Sequence, residues 1–460
     1  MPDPTRRSKV CRRPVAARLA VAGRLVLAMT VVGALASACS SGRPATTSGP
    51  HAIGLQTESL VDPSRPTPAN GPDPAHAGRI LLTTVLYPAL GTTGDRPVPG
   101  AKPDKADGPY PLIVFAHGFG SNVVSYLPLL QKWAAAGFVV AAPLFPLTNS
   151  ATPGGPDLSD YVHQPGDMSF VVTQMLDQSA SSAGALSGLI DPAEVGAAGH
   201  SLGGVTTLGL VADTCCRDPR IKAAVVMSGD AITFPTGKVT DNLAPPMLLV
   251  HGNADPTVPY VSSVDVFNAA RAPKGLLTII GGNHDSPVNP AGPAFADVVA
   301  ATTDFFDRYL KGQAQALGRL QTSAEKGRTT LVFVAHPGRH VVLPVPTTVI
   351  GNLRATVTPT QNLTDGQTVT VAWSGYAPNV SVNVLQCSAS PPTEATQCDL
   401  HGADILQPDP TGSGQVTLHV TTGAVGSGTC DATHPGCVIV VNEGGSLAPA
   451  ASAIVPISFG

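Results

Sequence analysis

Three residues of this chain have the types and the order that acyl transfer requires: Ser201, Asp255 and His284. A serine hydroxyl is a poor nucleophile until a base takes its proton, and an imidazole serves only when a carboxylate fixes its tautomer. Ser201 lies in Gly199-His200-Ser201-Leu202-Gly203. The flanking glycines permit a tight strand-to-helix turn that pushes the hydroxyl clear of the backbone, over the positive end of a helix. Asp255 follows the apolar run 247–250, and His284 follows the run 276–280. Each is thereby expected in a loop at the carboxyl end of a strand, where α/β sheets gather their sites. His117-Gly118-Phe119-Gly120 after the run 112–116 adds a glycine-rich loop, and the amides of Phe119 and Leu202 are the expected oxyanion donors.

Other residues compete for these roles. Asp230, in Met227-Ser228-Gly229-Asp230, also follows a strand-like run, but chain order and loop position favour Asp255 as the orienting acid. His163, His200 and His251 compete as base; the last two sit inside turns, where packing is the expected role, as it is for His117. His284 is preferred because it follows the last strand expected in the sheet. No Cys-x-x-Cys spacing with interleaved histidines is present, so no metal site is expected, and serine acyl transfer needs no cofactor.

The elements that must position these residues follow from periodicity. Between about Gly78 and Arg308, the apolar runs 80–87, 112–116, 138–142, 195–199, 221–227, 247–250 and 276–280 alternate with amphipathic segments at 124–136, 167–178, 202–212, 262–272 and 294–310. This is the pattern of strands and helices over a mostly parallel sheet covered on both faces. Asp167, just past Gln164-Pro165, is expected to cap its helix. No long helical insertion separates the runs, so an open site without a large lid is expected, with residues 143–166 in its rim. Beyond Pro346 the pattern becomes strict alternation, as at Val369, Val371 and Trp373, and predicts an antiparallel all-β domain, a sandwich.

The chain of 460 residues has room for two or three units, and its 43% apolar and 13% charged composition is that of a globular protein. A net charge of −4 spread over that length excludes the electrostatic footprint of a nucleic-acid binder. The first residues are a cationic segment, Arg6 to Arg24, then an apolar run too short to span a membrane comfortably, which together read as an export signal over residues 1–38. Leu35-Ala36-Ser37-Ala38-Cys39 resembles a bacterial lipoprotein cleavage site, which implies acylation of Cys39 and a lipid anchor as the route to the membrane; plain cleavage and secretion is the alternative. Residues 39–75, rich in Ser, Thr, Pro and Gly, are expected to form a flexible tether. An oxidising compartment permits disulfides among the remaining cysteines, two of which, Cys215 and Cys216, are adjacent and either bonded to each other or free.

Residues from about 78 to 310 resemble the lipase/esterase branch of the α/β-hydrolase superfamily, in the group that includes chlorophyllases, platelet-activating-factor acetylhydrolase-like enzymes and bacterial polyester hydrolases. The resemblance is carried by His117-Gly118-Phe119-Gly120, Gln164-Pro165-Gly166-Asp167-Met168-Ser169-Phe170, Gly199-His200-Ser201-Leu202-Gly203-Gly204, Asp255 and His284. It implies the α/β-hydrolase fold for residues 76–345 and a Ser–His–Asp triad acting on an ester substrate. Residues 346–460 resemble the neocarzinostatin family through Ala355-Thr356-Val357-Thr358-Pro359, Leu363-Thr364-Asp365-Gly366, Gln386-Cys387, Cys430, Cys437 and Ile457-Ser458-Phe459. That likeness implies an immunoglobulin-like sandwich of seven strands with bridges Cys387–Cys398 and Cys430–Cys437. Residues 387–437 contain no Phe, Tyr or Trp, which removes the stacking surface an aromatic ligand would need, and a stabilising or surface-binding appendage is the expectation. The reading is an exported serine hydrolase of short-chain acyl esters, lipids or polyesters. A surface-anchored binding lipoprotein that uses the hydrolase fold as a scaffold is the alternative.

Overall fold

A computed structural model describes residues 50–460 except 233, 236, 239–244, 325–327, 339–340, 345–352, 377, 379, 394, 407–409 and 444–451. The expected export signal, Cys39 and the beginning of the expected tether lie outside the described residues, as does the expected domain boundary at 345/346.

Uninterrupted apolar runs become central strands. Strands β4 (Tyr110–Ala116) and β8 (Met247–Gly252) are buried at every position, which requires cover on both faces. With β1 (Ala52–Asp62), β2 (Arg79–Ala89), β3 (Val98–Pro99), β5 (Val139–Leu144), β6 (Ile190–His200), β7 (Ile221–Met227), β9 (Lys274–Ile279) and β10 (Thr329–Val334) they form one sheet in the order β10-β9-β8-β7-β6-β4-β5-β2-β1-β3. The pairings from β5 through β4, β6, β7 and β8 to β9 are parallel, whereas β2 meets both β1 and β5 antiparallel and β10 meets β9 antiparallel. This is the α/β-hydrolase fold expected from the sequence. The chain leaves β4 towards β5 and leaves β6 in the opposite direction towards β7, so the topological switch point, and the crevice it opens, lies between the carboxyl ends of β4 and β6.

Helices cover both faces of the sheet. Leu127–Ala135 (α1), Phe295–Tyr309 (α5) and Ala316–Ser323 (α6) pack one side around Trp133, Phe305 and Phe306. Gln164–Ala180 (α2), Leu202–Ala212 (α3) and Tyr260–Ala269 (α4) pack the other through Met168, Met175, Leu208 and Phe267. No helix among the described residues is long and apolar enough to cross a membrane.

Two expectations are corrected here. The segment 39–75 is not a tether throughout, because all eleven residues of Ala52–Asp62 pair with β2. Its polar stretch Gln56-Thr57-Glu58-Ser59 hid the strand: Ile53 and Leu60 toward its two ends enter the cores, and the ladder to β2 carries the polar middle. The helix expected at 167 begins at Gln164, with Pro165 in its first turn, so Asp167 is not a cap. The Asp167 carboxylate instead takes hydrogen bonds from Arg79 Nε (2.7 Å) and Nη2 (2.6 Å) and pairs with Arg65 Nη2 (2.8 Å). Arg79, fully buried at the start of β2, also forks onto both oxygens of Asp160 at 2.8 Å. Breaking a buried pair strands the opposite charge, so Arg79→Ala is expected to cost about 3–5 kcal/mol in urea unfolding of the full chain. A loss below about 1 kcal/mol contradicts that role.

Alternating segments build the C-terminal part. Strands β11 (Arg354–Thr358), β12 (Thr368–Ser374) and β15 (Gly414–His419) make a three-stranded sheet, and β13 (Val382–Cys387), β14 (Asp404–Leu406), β18 (Val438–Glu443) and β19 (Ser452–Pro456) a four-stranded one. Strands β16 (Gly423–Val425) and β17 (Gly428–Cys430) form a separate ribbon. Val369, Val371 and Trp373 from the first sheet and Val384 and Val441 from the second share one core. The seven strands of the two sheets match the expected sandwich. Cys387 and Cys398, Cys430 and Cys437, and the adjacent Cys215 and Cys216 lie at disulfide distance.

Candidate active site

Strand β6 ends at His200 and α3 starts at Leu202, which leaves Ser201 alone to make the turn, at φ 57° and ψ −122°. A non-glycine residue in that region is strained and is held by its surroundings. Ser201 N–H donates to the Met227 carbonyl (2.9 Å), and its own carbonyl accepts from Gly204 N (2.8 Å) and Val205 N (3.1 Å). The turn closes only with glycine on both flanks. A Cβ at Gly199 would stand 2.0 Å from the Gly203 carbonyl oxygen, and one at Gly203 would stand 2.0 Å from that of Ala116.

Asp255, buried in the loop after β8, accepts at 2.8 Å from His284 Nδ1 and at 3.1 Å from His251 Nε2, both on Oδ2. Its other oxygen accepts the amides of Thr257 (2.8 Å) and Val258 (3.0 Å). Burial alone would raise this carboxyl, but the hydrogen bonds from His251 and His284 outweigh it and hold the group below the ordinary carboxylate range. With Nδ1–H on the carboxylate, His284 keeps the lone pair of Nε2 free to take a proton. Two backbone bonds, Asn253 N to Ile279 O (3.0 Å) and Ala254 N to Gly282 O (2.9 Å), lock the aspartate loop to the histidine loop.

A second set of bonds joins the histidine loop to the elbow and the glycine-rich loop. The His284 carbonyl accepts His200 Nε2 (2.9 Å) and Ser228 Oγ (3.0 Å). His200 is held neutral, its pKa brought down to about 3 by burial and by the neighbouring His284, so its Nδ1 accepts from the Tyr126 hydroxyl at 3.2 Å. That hydroxyl oxygen in turn accepts Gly118 N–H (3.0 Å). His117, lowered to about 4 by burial, donates through Nδ1 to the Gly118 carbonyl (2.8 Å) and accepts Phe145 N–H on Nε2 (3.1 Å). His200 thus ties the three loops into one frame, and His117 holds the glycine-rich loop to Phe145, just past β5.

Unfolded, these imidazoles titrate near 6.5, so between that pH and about 4 for His117 or 3 for His200 the unfolded chain binds the extra protons. Stability therefore rises with pH through this window, with a slope of about 1.4 kcal/mol per pH unit for each group. Melting curves are expected to shift to lower temperature as pH is taken from 7 to 4.5. A midpoint constant over that range contradicts neutral burial.

Of the competing residues, Asp230 lines the same cavity as Ser201, while His200 and His251 support the site through the His284 carbonyl and Asp255. Asp230 accepts the Ala231 amide (2.8 Å) and faces Ser262, and burial pushes its carboxyl up. His163 lies against the Arg79, Asp160 and Asp167 charges, where burial lowers its pKa. His251, expected to pack in its turn, is a second donor to Asp255, its Nδ1 meeting Ser263 Oγ at 2.7 Å. The spacing His251 to Asp255 was visible in the sequence, but Tyr126 and Ser228 carried no local signal.

Phe119, Ser201 and Leu202 of the α/β part and Ser381, Leu385 and Leu400 of the C-terminal sandwich line one cavity of about 140 Å³. The open, lidless site is therefore corrected. The C-terminal sandwich covers it, with Ser381 donating through N to the Pro256 carbonyl (2.5 Å) and through Oγ to that of Thr257 (2.7 Å), beside Asp255. Leu400 also packs into the cluster of Tyr161, Leu202, Val205 and Phe234.

Residues 355–459 match the model of the neocarzinostatin family. The match coincides with the two-sheet sandwich and includes both of its disulfides, so the covering unit is a neocarzinostatin-like domain. Among solved structures, the chain is similar to a ferulic acid esterase from Streptomyces cinnamoneus, at 22% identity and a TM-score of 0.47, over 61% of this chain and 96% of that one. No curated protein matches it. The disulfides and the neocarzinostatin-like domain fit an extracellular protein.

Proposed function

We propose that the protein is an exported serine hydrolase that cleaves carboxylic esters through an acyl-enzyme on Ser201. The observation that carries this reading is the His284–Asp255 hydrogen bond of 2.8 Å, made by loops bonded to the strained turn on which Ser201 sits. In the proposed reaction Ser201 Oγ bonds to the ester carbonyl carbon while its proton passes to His284 Nε2. The Phe119 and Leu202 amides hold the oxyanion. Collapse breaks the carbon–oxygen bond to the alcohol, which leaves with that proton. Water then attacks the acyl-enzyme, gives a proton to the same nitrogen and releases the acid as Ser201 recovers its own.

In this reading residues 1–38 export the chain and Cys39 anchors it, a hydrolase domain runs to about residue 345, and the neocarzinostatin-like domain follows. Turnover of nitrophenyl acetate by the purified protein is the test. Folded protein without activity on acetate, butyrate or a compact aryl ester rejects the proposal.

A further inference from the structure

The cavity over Ser201 is assembled by two domains, and its shape and polarity specify what it can hold. Its volume of about 140 Å³ is close to that of an engineered cavity of about 150 Å³ that takes one benzene ring. Leu158, Tyr161 and Val205 from the hydrolase and Leu385 and Leu400 from the sandwich give it an apolar wall. Ser381, just before β13, and Asn383 and Leu385 within it alternate and all line the cavity, while Val382 and Val384 between them pack in the core of the sandwich. This face thus reaches the cavity, while Leu385 and Cys387 on it also pack with Cys398, Val438 and Val440 of the sandwich. The lining also holds polar groups, Asp230 and Thr257 from the hydrolase and Ser381 and Asn383 from the sandwich; Ser381 bonds the Pro256 and Thr257 carbonyls, whereas Asn383 Oδ1 is buried and receives no hydrogen bond from any described residue. A buried acceptor of that kind is unfavourable until a donor reaches it.

We propose that the neocarzinostatin-like domain is the specificity wall of the ester site, taking a ring-sized apolar group whose hydroxyl or N–H donates to Asn383 Oδ1. The proposal rests on the hydrolytic reading of Ser201 for the chemistry, but not for the binding. Such a site rejects a ligand that lacks the donor more strongly than it rejects a small change in apolar bulk.

The test uses the full chain carrying Ser201→Ala, so that ligands stay intact, and measures binding by calorimetry. The ligand pairs are 3-hydroxybenzyl acetate against 3-methylbenzyl acetate, and ethyl 4-hydroxyphenylacetate against ethyl 4-methylphenylacetate, which place the donor on the alcohol or the acyl side. At least one hydroxylated ester is expected to bind five- to tenfold more tightly than its methyl counterpart. Asn383→Leu and Asn383→Ala in the same background are expected to bring that ratio to about one, with melting temperature recording that the fold is kept. Equal binding within both pairs, no binding at all, or a ratio that survives both substitutions overturns the proposal. Hydrolysis fails separately: if the ratio appears and depends on Asn383 but the unsubstituted protein turns over none of these esters, the wall is supported and the serine chemistry is not.

Discussion

Ser201→Ala is expected to leave a folded protein whose ester turnover is lower by about 10⁴-fold or more, with His284→Ala equally damaging and the double variant no worse than either alone. The non-additivity follows from the geometry. Hydroxyl and imidazole act on one proton, so removing either removes the whole step. Ser201 is also the residue bent to φ 57°, and alanine occupies the same turn without the oxygen, so stability changes little while activity collapses. Progress curves with nitrophenyl acetate, alongside urea unfolding, separate the two effects. Additive losses contradict a shared proton transfer.

Asp255→Asn is expected to lower kcat by about 10⁴-fold while preserving the shape of the loop. Both oxygens of the carboxylate are acceptors, one for the amides of Thr257 and Val258 and the other for His251 and His284. An amide cannot serve both sides. If its NH₂ faces the imidazoles, it opposes the Nδ1–H of His284 and drives that ring to the wrong tautomer; if it faces the loop, it collides with two N–H donors. Acid has a milder form of the same effect. Because the folded carboxyl is held below its unfolded value, its contribution to stability is full above the ordinary carboxylate pKa and is lost as pH falls through the folded one. A kcat within tenfold of the unsubstituted protein would place the orienting acid elsewhere.

Much of the sheet was legible because buried parallel strands write themselves as continuous apolar runs, and the elbow because a tight turn admits little besides glycine at 199 and 203. The loops after β8 and β9 could be placed from the runs that precede them. What the sequence concealed depends on partners distant along the chain. Strand β1 buries Ile53 and Leu60 near its two ends but is polar between them, where its ladder to β2 carries it, and Asp167 looks like a helix cap unless Arg79, 88 residues earlier, is known to reach it. The wall of the cavity is the clearest instance. Ser381, Asn383 and Leu385 read as the outward face of a sandwich strand, and nothing local to them says that Ser201, 180 or more positions before, lines the same cavity. His251 is hidden for another reason: a histidine in a turn usually packs, and its bond to Asp255 forms only once the turn is closed.

The most direct test is where a fluorophosphonate attaches. Peptide mapping of the reacted full chain is expected to find one covalent adduct, on Ser201, formed in the unsubstituted protein and lost in His284→Ala. A folded protein that takes no label, or takes it on another residue, contradicts the account.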